Sequence, residues 1–339
     1  MNGTGTVQSF ACPNYSGLLY NKANTNTPFL NMISGNVKYT NSVEFVTGQF
    51  YTSEEGEIPA ISETASLTAP QATFVTRQQL TNVTQIFHEK VSISYAKQSN
   101  MATLSGINIA GQTANPQNEL DFQVARKMEK IKRSIEKTFI QGVYNKATTD
   151  GTINKTRGIV SAITTNVEPA SNKALNLWIV NSAVTKIKNA GGDISNLVML
   201  VNSANLLQLH GNAVEMGMSV GTPYASAYGI QVRDLLLPIG AVIKVALGEF
   251  IPEGTALIVN PSVMGPVEQI VPNKGNFFLE ELSKQGAGED YQIFGQIGLD
   301  HGPEWFHAKI TGLSTTFTAP VGQKVVTVTE TTEDGETEG

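Results

Sequence analysis

The sequence has few of the residues on which catalytic and metal sites depend. Cys12 is the only cysteine among 339 residues, and there are four histidines. A single cysteine excludes an intrachain disulfide and a zinc site built from several cysteines. There is also no Walker A sequence and no complete G-x-G-x-x-G pattern. The sequence therefore predicts no nucleotide cofactor and no metal.

Charge and long apolar runs are also scarce. Charged residues make up 15% of the chain, against about 25% in an average soluble domain. Gly, Asn, Thr and Ser fill the difference, which favours turns, strands and surfaces that other copies bury. The net charge of -6 is no signature of nucleic-acid binding by the whole protein. No apolar run approaches the roughly 18–20 residues that span a bilayer, and residues 1–10 lack the features of a signal peptide. We therefore expect a protein that is made in a reducing cytoplasm and has no membrane partner.

Residues 1–37 form the least charged segment. Lys22 is its first charged side chain, and its apolar residues show little periodicity. Such a segment buries too little apolar surface to fold alone. We interpret it as an extended arm that is ordered against something else, with Phe29 in its one anchor-like cluster. A flexible tail is the alternative.

Residues 38–97 contain two patterns of alternating apolar and polar residues, which are typical of half-buried strands. Between them, residues 52–76 form a loop of a length that is uncommon in a compact domain unless it is functional. The segment before Arg77 is acidic and has no base after Lys38; its glutamates are Glu44, Glu54, Glu55, Glu57 and Glu63. The pattern predicts a two-stranded hairpin with an acidic tip. Because an isolated hairpin is marginally stable, it needs the surface of a neighbouring subunit.

The strongest helix pattern spans residues 118–144. Apolar residues recur every three or four positions from Leu120 to Phe139 and predict one apolar stripe. The opposite face is basic, and its residues are Arg126, Lys127, Lys130, Lys132, Arg133 and Lys137. This face is either solvated and laced by ion pairs such as Glu129 with Arg133, or it contacts partners. Both interpretations stay open.

The second half of the chain mixes helix and strand patterns. Residues 175–265 alternate short helices and strands, and residues 266–320 return to strands. Residues 321–339 contain five acidic residues and, after Lys324, no base, which predicts a disordered tail. The fold class is therefore α+β.

One short motif matches a catalytic pattern. Residues 217–221 (GMSVG) fit the G-x-S-x-G pattern of hydrolases, with Ser219 as the candidate nucleophile. That pattern requires an apolar strand before it and a helix after it, and neither flank fits. A serine hydrolase is thus an alternative function that the motif alone supports.

A second cluster holds residue types that bind metals: Asp300, His301, Glu304 and His307. Two positions six apart on one strand lie roughly 20 Å from each other. We therefore interpret the cluster as a turn with surface or core-edge histidines.

Several segments resemble, in order and spacing, the major capsid proteins of tailed phages of the Hong Kong 97 type. Residues 27–30 (TPFL) look like an N-terminal motif, and residues 82–95 look like the return strand of an extended loop. Residues 125–137 look like a basic spine helix, residues 157–159 (RGI) like the segment after that helix, and residues 300–312 like a closing strand. The resemblance covers roughly residues 25–315.

The resemblance implies a structural protein of the virion with no enzymatic activity. Its parts are an N-terminal arm (1–37), an extended hairpin loop (38–97), a peripheral domain (98–174 and 266–320) with the spine helix and a sheet, an axial α/β domain (175–265), and the tail (321–339). Hexamers and pentamers would form an icosahedral head around double-stranded DNA, assembled in the host cytoplasm. Portal and scaffolding or decoration proteins are candidate partners. Some members cross-link through a hairpin lysine, but no lysine lies between Lys38 and Lys90. We therefore expect a non-cross-linked shell, with scaffolding that is separate or absent.

Opposite charge on two exposed elements predicts how subunits meet. We expect the acidic hairpin of one subunit to lie across the basic helix of its neighbour. The expected contact residues are Glu54, Glu55, Glu57, Glu63, Arg126, Lys127, Lys130, Arg133, Lys137 and Phe29. Exposed pairs contribute only about 0.2–1 kcal/mol each, so charge would set orientation and apolar burial would set strength. Packaged DNA is a competing partner of the helix, through non-specific contact with phosphates. A sequence-independent nucleic-acid-binding protein is therefore the second alternative function.

Overall fold

The computed structural model describes residues 25–53, 56–58, 60–69, 71–96, 119–215, 225–227, 230–284 and 286–316. The helices are α1 (Pro28–Ile33), α2 (Glu63–Ser66), α3 (Glu119–Gln141), α4 (Ile159–Ala162), α5 (Leu177–Asn189) and α6 (Ser203–Glu215). The first strands are β1 (Lys38–Thr40), β2 (Glu44–Tyr51), β3 (Arg77–Val83), β4 (Gln85–Ser94), β5 (Val167–Pro169), β6 (Leu197–Val201) and β7 (Ala225–Ala227). The later strands are β8 (Ile230–Leu236), β9 (Val242–Leu247), β10 (Ala256–Val259), β11 (Gly265–Gln269), β12 (Phe278–Glu281), β13 (Gly288–Asp300) and β14 (Ala308–Thr311). The predicted α+β class is confirmed.

A five-stranded sheet is built around the long strand β13. β4 runs antiparallel along one side of it, β12 and β11 run antiparallel along the other side, and β1 adds parallel to β11. The apolar stripe of α3 covers one face of this sheet. Ile131, Ile135 and Phe139 of that stripe are buried in one core with Phe87 and Ile293. Each such side chain contributes about 1.5–3 kcal/mol when it is fully buried.

The long helix ends where two backbone segments touch. Gly158 N–H donates to the carbonyl of Gly142, just beyond the C-terminus of α3, at 2.9 Å. A Cβ atom on Gly142 would lie 2.5 Å from the carbonyl oxygen of Thr156, and one on Gly158 would lie 2.5 Å from the nitrogen of Gly142. No side chain fits in either position. The contact therefore explains the glycine at each position and fixes the segment that follows the helix.

A seven-stranded sheet has the order β5-β14-β10-β6-β9-β8-β7. β6 is buried along its whole length, as its continuous apolar sequence predicts. Leu197, Met199 and Val201 pack with α5 and α6 on one face, whereas Val198 and Leu200 join the core that contains α3 on the other face. The strand thus separates the two cores.

The boundaries of the five segments (arm, hairpin loop, peripheral domain, axial domain and tail) remain a prediction. Strand pairing shows that β1 and β4, in the predicted hairpin segment 38–97, lie in the five-stranded sheet. It also shows that β5 and β14, in the segments predicted as peripheral, pair within the seven-stranded sheet. The part that projects as a separate two-stranded sheet is β2 with β3. The predicted N-terminal arm and acidic tail fall largely outside the described residues.

Candidate inter-subunit surface

The hairpin of β2 and β3 leaves the body as an antiparallel pair with an irregularity between Val46 and Gly48. Its distal part contains α2, a single helical turn that begins where the Ser62 side chain accepts a hydrogen bond from Ala65 N–H. Glu57 and Glu63 are exposed there. Glu54 and Glu55 lie outside the described residues. The described part of the predicted acidic tip is therefore a solvated surface.

The hairpin also holds large apolar side chains in solvent. Ile58 is 96% exposed, Phe74 is 87% exposed and Leu67 is 85% exposed. Single exposed apolar residues are common on protein surfaces, but three of them on one hairpin together offer apolar area that a partner can bury. These three residues, Ile58, Leu67 and Phe74, are called the hairpin patch below.

Both ends of the β2–β3 pair are fixed to the body by contacts within the chain. The ring of Phe50 meets the indole of Trp305 edge-on, and Lys146 forms a salt bridge with Glu44 at 2.6 Å. Hydrogen bonds from Lys146 and from Thr81 hold the pKa of Glu44 below its ordinary value. Glu44 has no base near it in the sequence, but the fold brings Lys146 against it, so it has a partner within its own chain.

The basic face of α3 is largely occupied by side chains of its own subunit. Lys127 bonds Glu89 of β4 at 2.8 Å, and Lys130 bonds the other oxygen of the same carboxylate. Burial alone would raise the pKa of Glu89, but the two lysines outweigh it and leave that pKa lowered. The sequence could not pair these groups, because nothing in it predicts which strand lies beneath the helix.

Three other members of that face differ in their surroundings. Arg126 pairs with Glu129 at 2.7 Å, so the pair expected between Glu129 and Arg133 is replaced by one on the preceding turn. The guanidinium of Arg133 lies 5.8 Å from the centre of the Phe250 ring. Lys137 is exposed and forms no ion pair with the residues that the structure describes. Arg126, Lys130, Arg133 and Lys137 follow one another at spacings of four, three and four, so they share one stripe.

Phe29, the predicted anchor of the arm, is fully buried in the core of its own chain. It lies on α1, which contacts α3. Its side chain therefore anchors the N-terminal segment within the subunit and leaves no free surface for a neighbour.

The predicted cluster of metal-binding residue types is a structural network. His307 is fully buried; its Nδ1 accepts from the backbone N–H of Asn260 at 3.1 Å, and its Nε2 donates to the carbonyl of His301 at 2.8 Å. Both ring nitrogens are thus used. Burial lowers the pKa of His307 to about 4, which keeps the ring neutral. Asp300 pairs with Lys38, and Glu304 accepts from Thr164 and Thr165.

These observations correct the expected position of the histidines. Both lie in the core rather than at the surface, since His301 is 1% exposed. Within the described ranges, no group of three potential metal ligands comes together. No helix there is both long enough and apolar enough to cross a membrane. Ser219 and its motif lie outside the described residues.

Comparison with known proteins decides the family. A family model described as SU10 major capsid protein matches residues 1–314 of the chain. The chain belongs to this family. No individual curated protein sequence matches it. The predicted relationship to phage major capsid proteins is therefore confirmed, and the family is a structural one.

Two capsids and an encapsulin are among the solved structures that resemble this major capsid protein. The cyanophage A-1(L) capsid asymmetric unit matches with a TM-score of 0.62, at 11% identity, over 91% of this chain and 98% of that chain. The cyanophage P-SCSP1u capsid has a TM-score of 0.54, 11% identity, and coverage of 93% and 97%. The holo-SrpI encapsulin complex from Synechococcus elongatus has a TM-score of 0.55, 11% identity, and coverage of 88% and 94%. At this identity the match shows the fold alone, which is the predicted Hong Kong 97-like capsid fold.

Proposed function

We propose that this major capsid protein assembles into hexamers and pentamers of an icosahedral phage head that encloses double-stranded DNA. The observation that carries the proposal is the hairpin patch on a two-stranded projection. A two-stranded sheet has no interior of its own, and apolar residues that are more than four-fifths exposed gain stability only if another surface covers them. A lattice of identical subunits supplies that surface at every position, and many weak contacts then sum to a stable shell.

The surface that we propose for the hairpin is the α3 stripe of a neighbouring subunit. Glu57 and Glu63 on the hairpin are exposed carboxylates, and Lys137 is an exposed base that forms no ion pair with the described part of its own chain. Lys127 and Lys130 already share Glu89, so a neighbour's carboxylates would join an existing cluster there rather than meet free lysines. We expect the hairpin patch to supply most of the binding energy. The charges set the orientation, because exposed pairs are weak.

The experiment separates these two contributions. Glu57→Lys combined with Glu63→Lys reverses the charge of the described hairpin tip, and Ile58→Ser combined with Phe74→Ser removes most of the hairpin patch. Electron microscopy and sedimentation report shells, capsomers and free subunits over a range of salt concentrations. We expect the first variant to assemble poorly at low salt and to recover in part when Lys137→Glu is added. We expect the second variant to fail at every salt concentration.

The matched control is Glu253→Lys, which changes the charge of another exposed glutamate far from the hairpin in the sequence. It should assemble like the unmodified chain. If the charge-reversed and patch variants both give normal shells across the whole salt range, the proposed contact is wrong. If all three variants stay monomeric, net charge or folding is responsible rather than the contact.

Further features of the proposed head follow from the same assembly. No lysine lies between Lys38 and Lys90, so we propose a shell without covalent links through the hairpin, which denaturant should dissociate into single chains. We propose assembly in the host cytoplasm, with a portal and with scaffolding or decoration proteins as further partners. DNA would be contacted only through its phosphates, without sequence preference. We infer no catalytic role for Ser219, and the Ser219→Ala variant should therefore assemble like the unmodified chain.

A further inference from the structure

The first turn of α1 receives its cap from a residue far along the chain. Phe29 N–H donates to one carboxylate oxygen of Glu136 at 2.9 Å, and Leu30 N–H donates to the other at 2.6 Å. The first N–H groups of a helix have no partner inside the helix. Pro28 has no N–H, and Thr27, at the N-cap position, makes no side-chain cap bond. Glu136 on α3 therefore does what a local cap residue normally does.

This contact joins the N-terminal segment to the body of the subunit. Phe29 and Ile33 of α1 are fully buried and Met32 is 4% exposed, all in the core that also contains α3. Release of α1 from Glu136 would therefore loosen residues 27–33 from this core.

Glu136 is a buried carboxylate that meets no cation among the residues that the structure describes. It is fully buried, and α1 and α4 beside it carry no ionisable side chain. Arg133, one turn earlier, lies over Phe250 instead, and Lys132 and Lys137 are exposed. Glu89 bonds Lys127 and Lys130. The other titratable groups on the strands that pack against α1 and α3 are His88, Lys90, Glu268, Glu289, Asp290, Tyr291 and Asp300.

None of those groups compensates the Glu136 charge. Burial raises the pKa of Glu136 to about 7, and the N–H groups of Leu30 and Phe29 oppose this rise only in part. Protonation weakens one of the two hydrogen bonds, because a hydroxyl oxygen is a poorer acceptor than a carboxylate oxygen. Protonation also removes an unpaired charge from the core, and this gain outweighs the weakened hydrogen bond.

We propose that Glu136 is a pH-dependent latch for the root of the N-terminal arm, which holds α1 tightly when its side chain is neutral and loosely when it is ionised. With α1 undocked, the carboxylate would meet water and lose protons at its ordinary pKa of 4.5. The docked state then binds the proton more tightly than the undocked state, so docking weakens as pH rises through this window. The expected change is up to about two orders of magnitude in the docking equilibrium.

Hydrogen exchange of the full-length chain tests the latch without requiring assembly. After correction for intrinsic exchange rates, the segment that contains residues 27–33 should lose protection by tenfold or more between about pH 5 and about pH 8. In Glu136→Gln, a neutral side chain of the same shape, protection of this segment should be independent of pH. The matched control is Glu129→Gln on the same helix, which should keep the pH dependence of the unmodified chain.

Two results would overturn the latch. One is protection of residues 27–33 that stays constant with pH in the unmodified chain, which can be measured even if the Gln variant does not fold. The other is an equal loss of protection in Glu136→Gln, which would assign the pH dependence to a different group.

Discussion

The indole ring of Trp305 meets the ring of Phe50 edge-on, with the two ring centroids 4.9 Å apart. Phe50 belongs to β2 of the hairpin, whereas Trp305 lies in a short 3-10 helix (Glu304–Phe306) that follows β13. Edge-to-face aromatic pairs contribute about 0.5–1.5 kcal/mol beyond the area that they bury. This pair therefore fixes the direction in which the hairpin leaves the body.

A double-mutant cycle measures that contribution. We expect Phe50→Leu and Trp305→Leu each to lower the free energy of unfolding, with a coupling energy of about 0.5–1.5 kcal/mol between them. Urea unfolding of the unassembled chain gives the energies, and electron microscopy shows whether shell size becomes irregular in the same variants. Additive effects, with a coupling near zero, would mean that the two rings touch without holding the hairpin.

The buried side chain of Asn82 joins three parts of the chain at the start of the return strand. Its amide donates to the carbonyls of Leu299 at 2.8 Å and Arg157 at 3.2 Å, and its oxygen accepts from Arg157 N–H at 2.8 Å. Asn82→Ala leaves these buried backbone groups unpaired. Each such group costs about 1–3 kcal/mol, so we expect a loss of at least about 2 kcal/mol in unfolding experiments.

Two further variants make the Asn82 measurement specific. Asn82→Asp should also destabilise the fold, because a carboxylate cannot donate to the two carbonyl oxygens. Asn145→Ala removes an exposed amide that donates to the carbonyl of Ile153 and should cost less than about 1 kcal/mol. Equal losses for Asn82→Ala and Asn145→Ala would contradict the role of Asn82 as a buried junction.

The sequence predicts those parts of the fold that local patterns determine. Apolar spacing predicted a helix over residues 118–144, and the structure has α3 at Glu119–Gln141. Strand alternation likewise predicted β2 and β4. Glu136 shows the limit of such patterns. No local pattern distinguishes it from the exposed charges of α3, yet it is buried, because its partners on α1 lie 106 and 107 residues away along the chain.

Local patterns leave the cap residue of α6 open by one position, and they do not predict the partners of Glu89. Ser203 is the first residue of α6, but the cap bond comes from Asn202, whose side chain accepts from Asn205 N–H at 2.8 Å. Helix boundaries shift by one residue easily, since neighbouring polar residues can serve equally as caps. The pairing of Glu89 with two lysines of α3 depends on tertiary packing, which no local pattern encodes.

Removal of the Glu89 carboxylate should lower the stability of the fold only modestly and only above acidic pH. Exposed lysine–carboxylate pairs contribute about 0.2–1 kcal/mol each, so we expect Glu89→Gln to lower the free energy of unfolding by no more than about 2 kcal/mol. Because the pKa of Glu89 is lowered in the fold, this contribution is present above about pH 4.5 and disappears as pH falls below it. Unfolding measured near pH 7 and near pH 3 should show a difference between variant and unmodified chain only at the higher pH.

Two buried groups give the stability of this capsid protein opposite dependences on pH. The pKa of His307 is lowered by burial from 6.5 to about 4, so the unfolded chain binds the proton more tightly and stability falls as pH decreases from about 6.5 to about 4. The pKa of Glu136 is raised by burial from 4.5 to about 7. In that case the folded chain binds the proton more tightly, and stability falls as pH increases from about 4.5 to about 7. Each shift corresponds to about 3 kcal/mol, so the two effects largely cancel in the unmodified chain.

Glu136→Gln should uncover the effect of the histidine. The variant keeps His307 but lacks the Glu136 carboxyl, which gains a proton on folding, so its stability should drop by about 3 kcal/mol between about pH 6.5 and about pH 4. Carboxylates with lowered pKa values, such as Glu44 and Asp290, add to the acid loss in both proteins and cancel in the difference between them. Urea unfolding at several pH values gives this difference directly. From about pH 4.5 to above pH 7, the free energy of unfolding of the variant should rise by up to about 3 kcal/mol relative to that of the unmodified chain. A difference between the two proteins that does not change with pH would mean that Glu136 is not buried as a charge.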